Sequence, residues 1–134
     1  MKTIRALIIE DEAPARELIR FMLADHPEVE IVGERVDGFC GAREIKEKRP
    51  DLIFLDIQMP RLTGFELLEV IDEKPEVIFT TAFDQYAIRA FELNAVDYLL
   101  KPFSKERFDD ALARALNRLE TKAPEHDKIE KLVA

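Results

Sequence analysis

Short apolar runs alternate along the chain with longer stretches whose apolar residues recur at helical spacing. Residues 4–9, 30–32, 52–55, 77–79 and 96–100 form the short runs. Most are too continuously apolar for a sheet with one wet face, so they predict strands buried on both sides, as in a parallel sheet. Between them lie amphipathic segments. Residues 14–24 place Leu18, Ile19, Met22 and Leu23 on one stripe, and Phe39, Ala42 and Ile45 do so more weakly. Thr63 and Glu66 have capping-box spacing ahead of Phe65, Leu67, Leu68 and Ile71. Residues 86–93 follow Asp84, a candidate N-cap. Ser104 stands before the clearest helix, where Phe108, Ala111, Leu112, Ala115, Leu116 and Leu119 recur.

Five strands alternating with five helices predict an α/β fold, a parallel sheet covered on both faces. Right-handed crossovers make it doubly wound. The pattern fails near residue 121. The closing stretch, TKAPEHDKIEKLVA, carries a proline, scattered charges and few apolar anchors. This divides the chain into one domain over 1–120 and a linker or C-terminal extension over 121–134.

Composition narrows the class. At 134 residues, 47% hydrophobic and 36% charged, the chain is expected to fold as one globular unit. No apolar run approaches the roughly 18 residues of a membrane span, and the N-terminus lacks a signal-peptide cleavage pattern. A lone cysteine, Cys40, cannot form an internal disulfide and fits a reducing cytoplasm. The net charge of −8 argues against this chain by itself gripping nucleic acid or an anionic membrane, and favours cations and basic partners.

In doubly wound sheets, ligands bind beyond the carboxyl ends of the strands. The residues just after each apolar run therefore carry the chemistry. They are Glu10, Asp11 and Glu12 after the first, Asp56 after the third, Thr80 and Thr81 after the fourth, and Lys101 with Pro102 after the fifth. Each alone has an ordinary reading as a helix-dipole partner, turn residue, strand residue or surface charge. Their joint occurrence at four strand ends points to a site. Two carboxylates about 4 Å apart repel by roughly 4 kcal/mol at an effective dielectric near 20. A divalent cation relieves that repulsion, and all-oxygen donors suit magnesium or manganese. The Thr81 hydroxyl and the Lys101 ammonium suit phosphoryl oxygens. Asp56, alone at the tip of a central strand, is then the best-placed carboxylate to form an acyl phosphate.

Glu10-Asp11, Asp56-Ile57-Gln58-Met59-Pro60 with Gly64, Thr81-Ala82 and Lys101-Pro102-Phe103 resemble the signature of response-regulator receiver domains, over about residues 2–120. The resemblance implies a flavodoxin-like, CheY-like fold of five parallel strands in the order 2-1-3-4-5. It implies that Asp56 accepts a phosphoryl group from the phosphohistidine of a sensor histidine kinase. It assigns magnesium to Asp11, Asp56 and the Gln58 carbonyl, with Glu10 acting through a metal-bound water. Glutamate at position 10 departs from the commoner aspartate, and bears on metal affinity. Thr81 and Tyr98 are the implied switch pair, Lys101 the phosphoryl partner, and the Lys101–Pro102 bond is expected to be cis.

The run FTTAFDQYAIRAFELNAVDYLLKPF is similar to receivers joined to LytTR-type DNA-binding domains. That likeness implies an output domain beyond residue 134, with DNA reached only through it. It also implies a homodimer through the fourth helix, last strand and last helix, a cytoplasmic location, no membrane contact, and no enzymatic turnover besides the chain's own phosphorylation and dephosphorylation. The bulk of Gln58 and Phe83 is expected to slow phosphate loss. The rival readings are a stand-alone receiver acting through protein contacts and a magnesium-dependent phosphohydrolase of the haloacid dehalogenase type. The latter needs a second acid where this chain has Gln58. A flavin-binding domain would share the fold, but Glu10, Asp11 and Glu12 would repel the flavin phosphate.

Overall fold

The structure is a computed structural model and describes residues 3–121. Five strands, β1 (Ile4–Ile9), β2 (Val29–Arg35), β3 (Leu52–Asp56), β4 (Glu76–Thr81) and β5 (Asp97–Leu100), pair in parallel in the order β2-β1-β3-β4-β5. Five α-helices connect or follow them: α1 (Ala13–Leu23), α2 (Gly38–Lys48), α3 (Gly64–Val70), α4 (Ala87–Glu92) and α5 (Lys105–Thr121). This is the expected flavodoxin-like architecture. The expected extension over 122–134 lies outside the described residues.

The continuous apolar runs have the cause inferred for them, because the sheet is buried on both faces. Ala6, Ile8, Phe54, Ile78 and Leu99 face one way, onto Ile19, Met22 and Leu23 of α1 and Phe108, Leu112 and Ala115 of α5. The alternating residues Leu7, Ile9, Ile53, Leu55 and Phe79 face the other way, with Ile45, Leu67 and Ala90 from α2, α3 and α4. Two-residue alternation within each run sends successive side chains into different layers. Phe54 and Phe108 stack at 5.4 Å, tying the central strand to α5.

Helix caps follow local chemistry. Thr63 and Glu66 exchange bonds at α3, with Thr63 N–H donating to Glu66 Oε1 at 2.9 Å and Glu66 N–H to Thr63 Oγ1 at 3.1 Å. Ser104 Oγ accepts from Arg107 N–H at 3.1 Å and its carbonyl from Phe108 N–H at 3.0 Å, opening α5. Asp84 does not cap. It starts a short 3-10 turn (Asp84–Tyr86), and its carbonyl accepts from Ala87 N–H, so α4 begins later and stays under two turns. The tighter turn closes with a backbone bond where an α-helix would use a side-chain cap.

β2 runs longer than its apolar segment, because as an edge strand it can carry Glu34 and Arg35 at partly exposed positions. Its register slips between Ile31 and Gly33, and Lys48 Nζ donates to the Val32 carbonyl there at 2.6 Å. At the other edge, α5 is fastened by charge. Arg107 grips Asp97 with two bonds of 2.6 and 2.8 Å, Arg114 adds one of 2.6 Å, and Arg118 meets Glu76 at 3.2 Å. Among the described residues no helix is long and apolar enough to cross a membrane.

Candidate functional site

β1 and β3 are neighbours, and both end at the edge where the order of connection reverses. β1 delivers Glu10 and then Asp11 and Glu12, and Asp56 is the last residue of β3. One carboxylate oxygen from each of these four residues lies within 4.8 Å of the others. Glu10 is 1% exposed and Asp56 3%. Burial, and next the charge of Glu10, push the Asp56 carboxyl up to about 8, with Lys101 acting in the opposite sense.

The Asp56 turn is sterically specified. Gly64 N–H donates to the Ile57 carbonyl at 2.8 Å, and a Cβ at Gly64 would lie 2.5 Å from the Asp56 carbonyl oxygen. A side chain there would displace the backbone that carries the acid. Gln58 N–H approaches Asp56 Oδ1 at 3.3 Å, and its side-chain amide donates to the Tyr86 hydroxyl at 2.9 Å.

Lys101 follows β5 directly, and its backbone N–H donates to the Thr81 carbonyl at 2.7 Å. The Lys101–Pro102 peptide is cis, as expected. The Lys101 ammonium lies 2.7 Å from Glu10 Oε1, 3.6 Å from Glu12 and 3.7 Å from Asp56 Oδ2. Burial alone would lower its pKa; the hydrogen bond and charge of Glu10, with Asp56 and Glu12 behind them, raise it. A single cation thus faces several carboxylates, which leaves the pocket negative. Its hard oxygen donors fit magnesium or manganese.

Glu10, Asp11, Asp56 and Lys101 therefore come together, with Glu12 among them. Thr81 ends β4 beside them, fully buried, and its hydroxyl accepts from Phe83 N–H at 3.2 Å. Tyr98 sits on β5, half-buried, and its hydroxyl donates to the Phe83 carbonyl, so the implied switch pair is joined through one residue. Burial raises the Tyr98 phenol, keeping it protonated as a donor.

Two further contacts define Glu10; Thr80 is marked by its place at a strand end, but its partner is not, and Arg16 has no mark in the sequence. Thr80 donates to Glu10 Oε2 at 3.3 Å, and the Arg16 guanidinium donates to the Glu10 carbonyl at 2.8 Å. The register pairing of Asp56 with Thr80 puts that hydroxyl next to the acids. His26 bonds Asp109 of α5 at 2.8 Å.

The response regulator receiver domain family matches residues 6–113. The transcriptional regulatory protein BtsR of Escherichia coli is 47% identical over 113 residues, which cover 83% of this chain and 47% of that protein. The response regulatory domain of protein mrkE from Klebsiella pneumoniae superposes with a TM-score of 0.81 at 34% identity, covering 89% of this chain and 100% of that domain. The REC domain of AraT, a response regulator from Geobacillus stearothermophilus, gives a TM-score of 0.81 at 32% identity over 90% of this chain and 98% of that one. The chain spans about half the length of the curated relatives it matches. A matched segment covering most of the chain, on a fold shared with solved receivers, identifies this protein as a member of the response regulator receiver domain family.

Proposed function

We propose that Asp56 is the phosphoryl acceptor of this receiver and that a sensor histidine kinase is its donor. The observation that carries the reading is the pocket itself, in which a buried aspartate has carboxylate oxygens of Glu10, Asp11 and Glu12 within 4.8 Å and the Lys101 ammonium at 3.7 Å. An Asp56 oxygen attacks phosphorus, a P–O bond forms as the P–N bond of the donor phosphohistidine breaks, and the departing imidazole takes up a proton. Asp11, Asp56 and the Gln58 carbonyl would hold magnesium, with Glu10 behind a bound water. The ion would neutralise charge on the transferring group. Its charge would also favour the ionised form of Asp56 that the attack requires. Lys101 would trade its contact with Glu10 for a phosphoryl oxygen, and Thr81 would turn its hydroxyl toward another. Movement of Thr81 draws on the Phe83 segment and so on Tyr98, shifting a two-state equilibrium.

The output follows from the relatives. BtsR is named a transcriptional regulatory protein, and the shared run through YLLKPF supports a LytTR-type DNA-binding domain after residue 134, in a cytoplasmic regulator. Residues 1–120 would then be the receiver and 121–134 the linker. Exposed Ile88 and Phe91 on α4 and Leu100 on β5 support dimerisation through α4, β5 and α5. The chain would be a switch with no substrate other than its own phosphoryl group.

The test is incubation with a small phosphodonor and magnesium, followed by intact mass. One added phosphoryl group is expected, absent in Asp56→Asn and absent when magnesium is chelated. Modification that persists in Asp56→Asn would remove the assignment. Turnover of added phosphoesters without a stable phosphoprotein would support the phosphohydrolase reading.

A further inference from the structure

Glu10 is gripped from two different strands. Its Oε1 meets the Lys101 ammonium beyond β5 at 2.7 Å, and its Oε2 accepts from the Thr80 hydroxyl on β4 at 3.3 Å. β3 lies between β1 and β4, so the Glu10 side chain crosses the end of a whole strand to make the second contact. An aspartate at this position would be shorter by one carbon–carbon bond, about 1.5 Å. Thr80 and Glu10 are each 1% exposed. Water does not compete for that bond, and a hydroxyl in such surroundings holds a carboxylate more firmly than it would at the surface. Thr81 does not duplicate the contact, because its own hydroxyl takes the Phe83 N–H.

We propose that Thr80 is a positioning residue that fixes the rotation of the Glu10 carboxylate and thereby makes the pocket selective for magnesium over calcium. The proposal rests on the reading that Glu10, Asp11 and Asp56 form a cation site. Magnesium demands near-ideal octahedral geometry at short distances, whereas calcium accepts variable and longer coordination. The Glu10 carboxylate, held between the Thr80 hydroxyl and the Lys101 ammonium, keeps one orientation toward the pocket, which suits the small ion. Without Thr80 it can pivot about the Lys101 contact, and would still serve the large one.

Calorimetric titration of the whole chain with magnesium and, separately, with calcium tests this. Thr80→Val keeps the branched shape and removes the hydroxyl; Thr80→Ser keeps the hydroxyl and removes the methyl. Thr80→Val is expected to weaken magnesium about tenfold, in the range seen when outer partners of metal ligands are lost. Calcium affinity should move by less than about twofold. Thr80→Ser should keep the native preference. In a Glu10→Asp background, where the acid does not reach β4, Thr80→Val should add nothing. An unchanged magnesium-to-calcium ratio in Thr80→Val overturns the proposal. So does a serine variant as defective as the valine one, or a full valine effect in the Glu10→Asp background. A native chain that binds neither ion overturns the cation site beneath it, a different result from a site that binds both and ignores Thr80.

Discussion

Asp56 is a carboxyl held where its charge is unwelcome. Its carboxyl, pushed to about 8 by burial and by Glu10, titrates near 3.9 in an unfolded chain. Between those values the folded state binds the proton that the unfolded state has released, so metal-free stability falls as pH rises from about 4 to 8. Asp56→Asn removes this contribution. In chelator, urea denaturation is expected to show Asp56→Asn gaining on the native chain as pH rises, by on the order of 2 kcal/mol at pH 8, with little difference near pH 4. Magnesium should shrink the gap. A gap that is flat with pH would mean that Asp56 is not strained. At this scale the sequence was most legible. Glu10, Asp11, Asp56 and Lys101 could be found because each follows an apolar run, and a parallel sheet gathers such ends. Thr80 could be found the same way, but its contact with Glu10 could not, because that depends on a glutamate reaching across β3, and no spacing in one dimension encodes that span.

The elements divide by what stabilises them. α3 is short, and its capping box supplies two of its terminal bonds. Thr63→Ala is expected to cost about 1 kcal/mol, read as a lowered melting temperature. α5 instead depends on Asp97, which lies almost buried between Arg107 and Arg114. Burial alone would raise that carboxyl; the Arg107 hydrogen bonds, the Tyr98 N–H and the two guanidiniums hold it below its ordinary value. The contribution is therefore full above the unfolded value near 3.9 and fades as pH falls through the depressed one. Asp97→Asn should lose stability at pH 7 and differ least from the native chain in strong acid. Equal destabilisation at both pH values would point to shape, not charge. Elements with an uninterrupted pattern were legible. β2 was read short because an edge strand tolerates polar residues, and Asp84 was misread as a cap because tight 3-10 entry and capped entry share the same residue types.

For the whole molecule, the net charge of −8 meets a pocket that concentrates acids around one lysine. A ligand that binds only the folded chain stabilises it by mass action, about 2.7 kcal/mol at a hundred times its Kd. Magnesium should therefore raise the melting temperature, and sodium chloride at the same ionic strength should not. The face of α4 and β5 leaves Phe91 84% exposed. If that face pairs two copies after phosphorylation, Phe91→Glu should leave phosphorylation intact and keep the phosphorylated chain monomeric on a sizing column. The fold could be read from sequence at this scale because five strand–helix alternations admit few topologies. Pairing with another copy could not, since an exposed phenylalanine looks the same in sequence as a buried one.

The amide of Gln58, two residues past Asp56, bonds the phenol of Tyr86, which ends the 3-10 turn after β4. If Asp56 carries the phosphoryl group as proposed, this one contact between uncharged groups would set how readily a hydrolytic water enters, and with it how long the regulator remembers a stimulus. Tyr86→Phe should shorten that memory by no more than removing the Gln58 amide does, and the pair together should shorten it no further. A change of one oxygen atom would in that case reset the duration of the response without touching its chemistry.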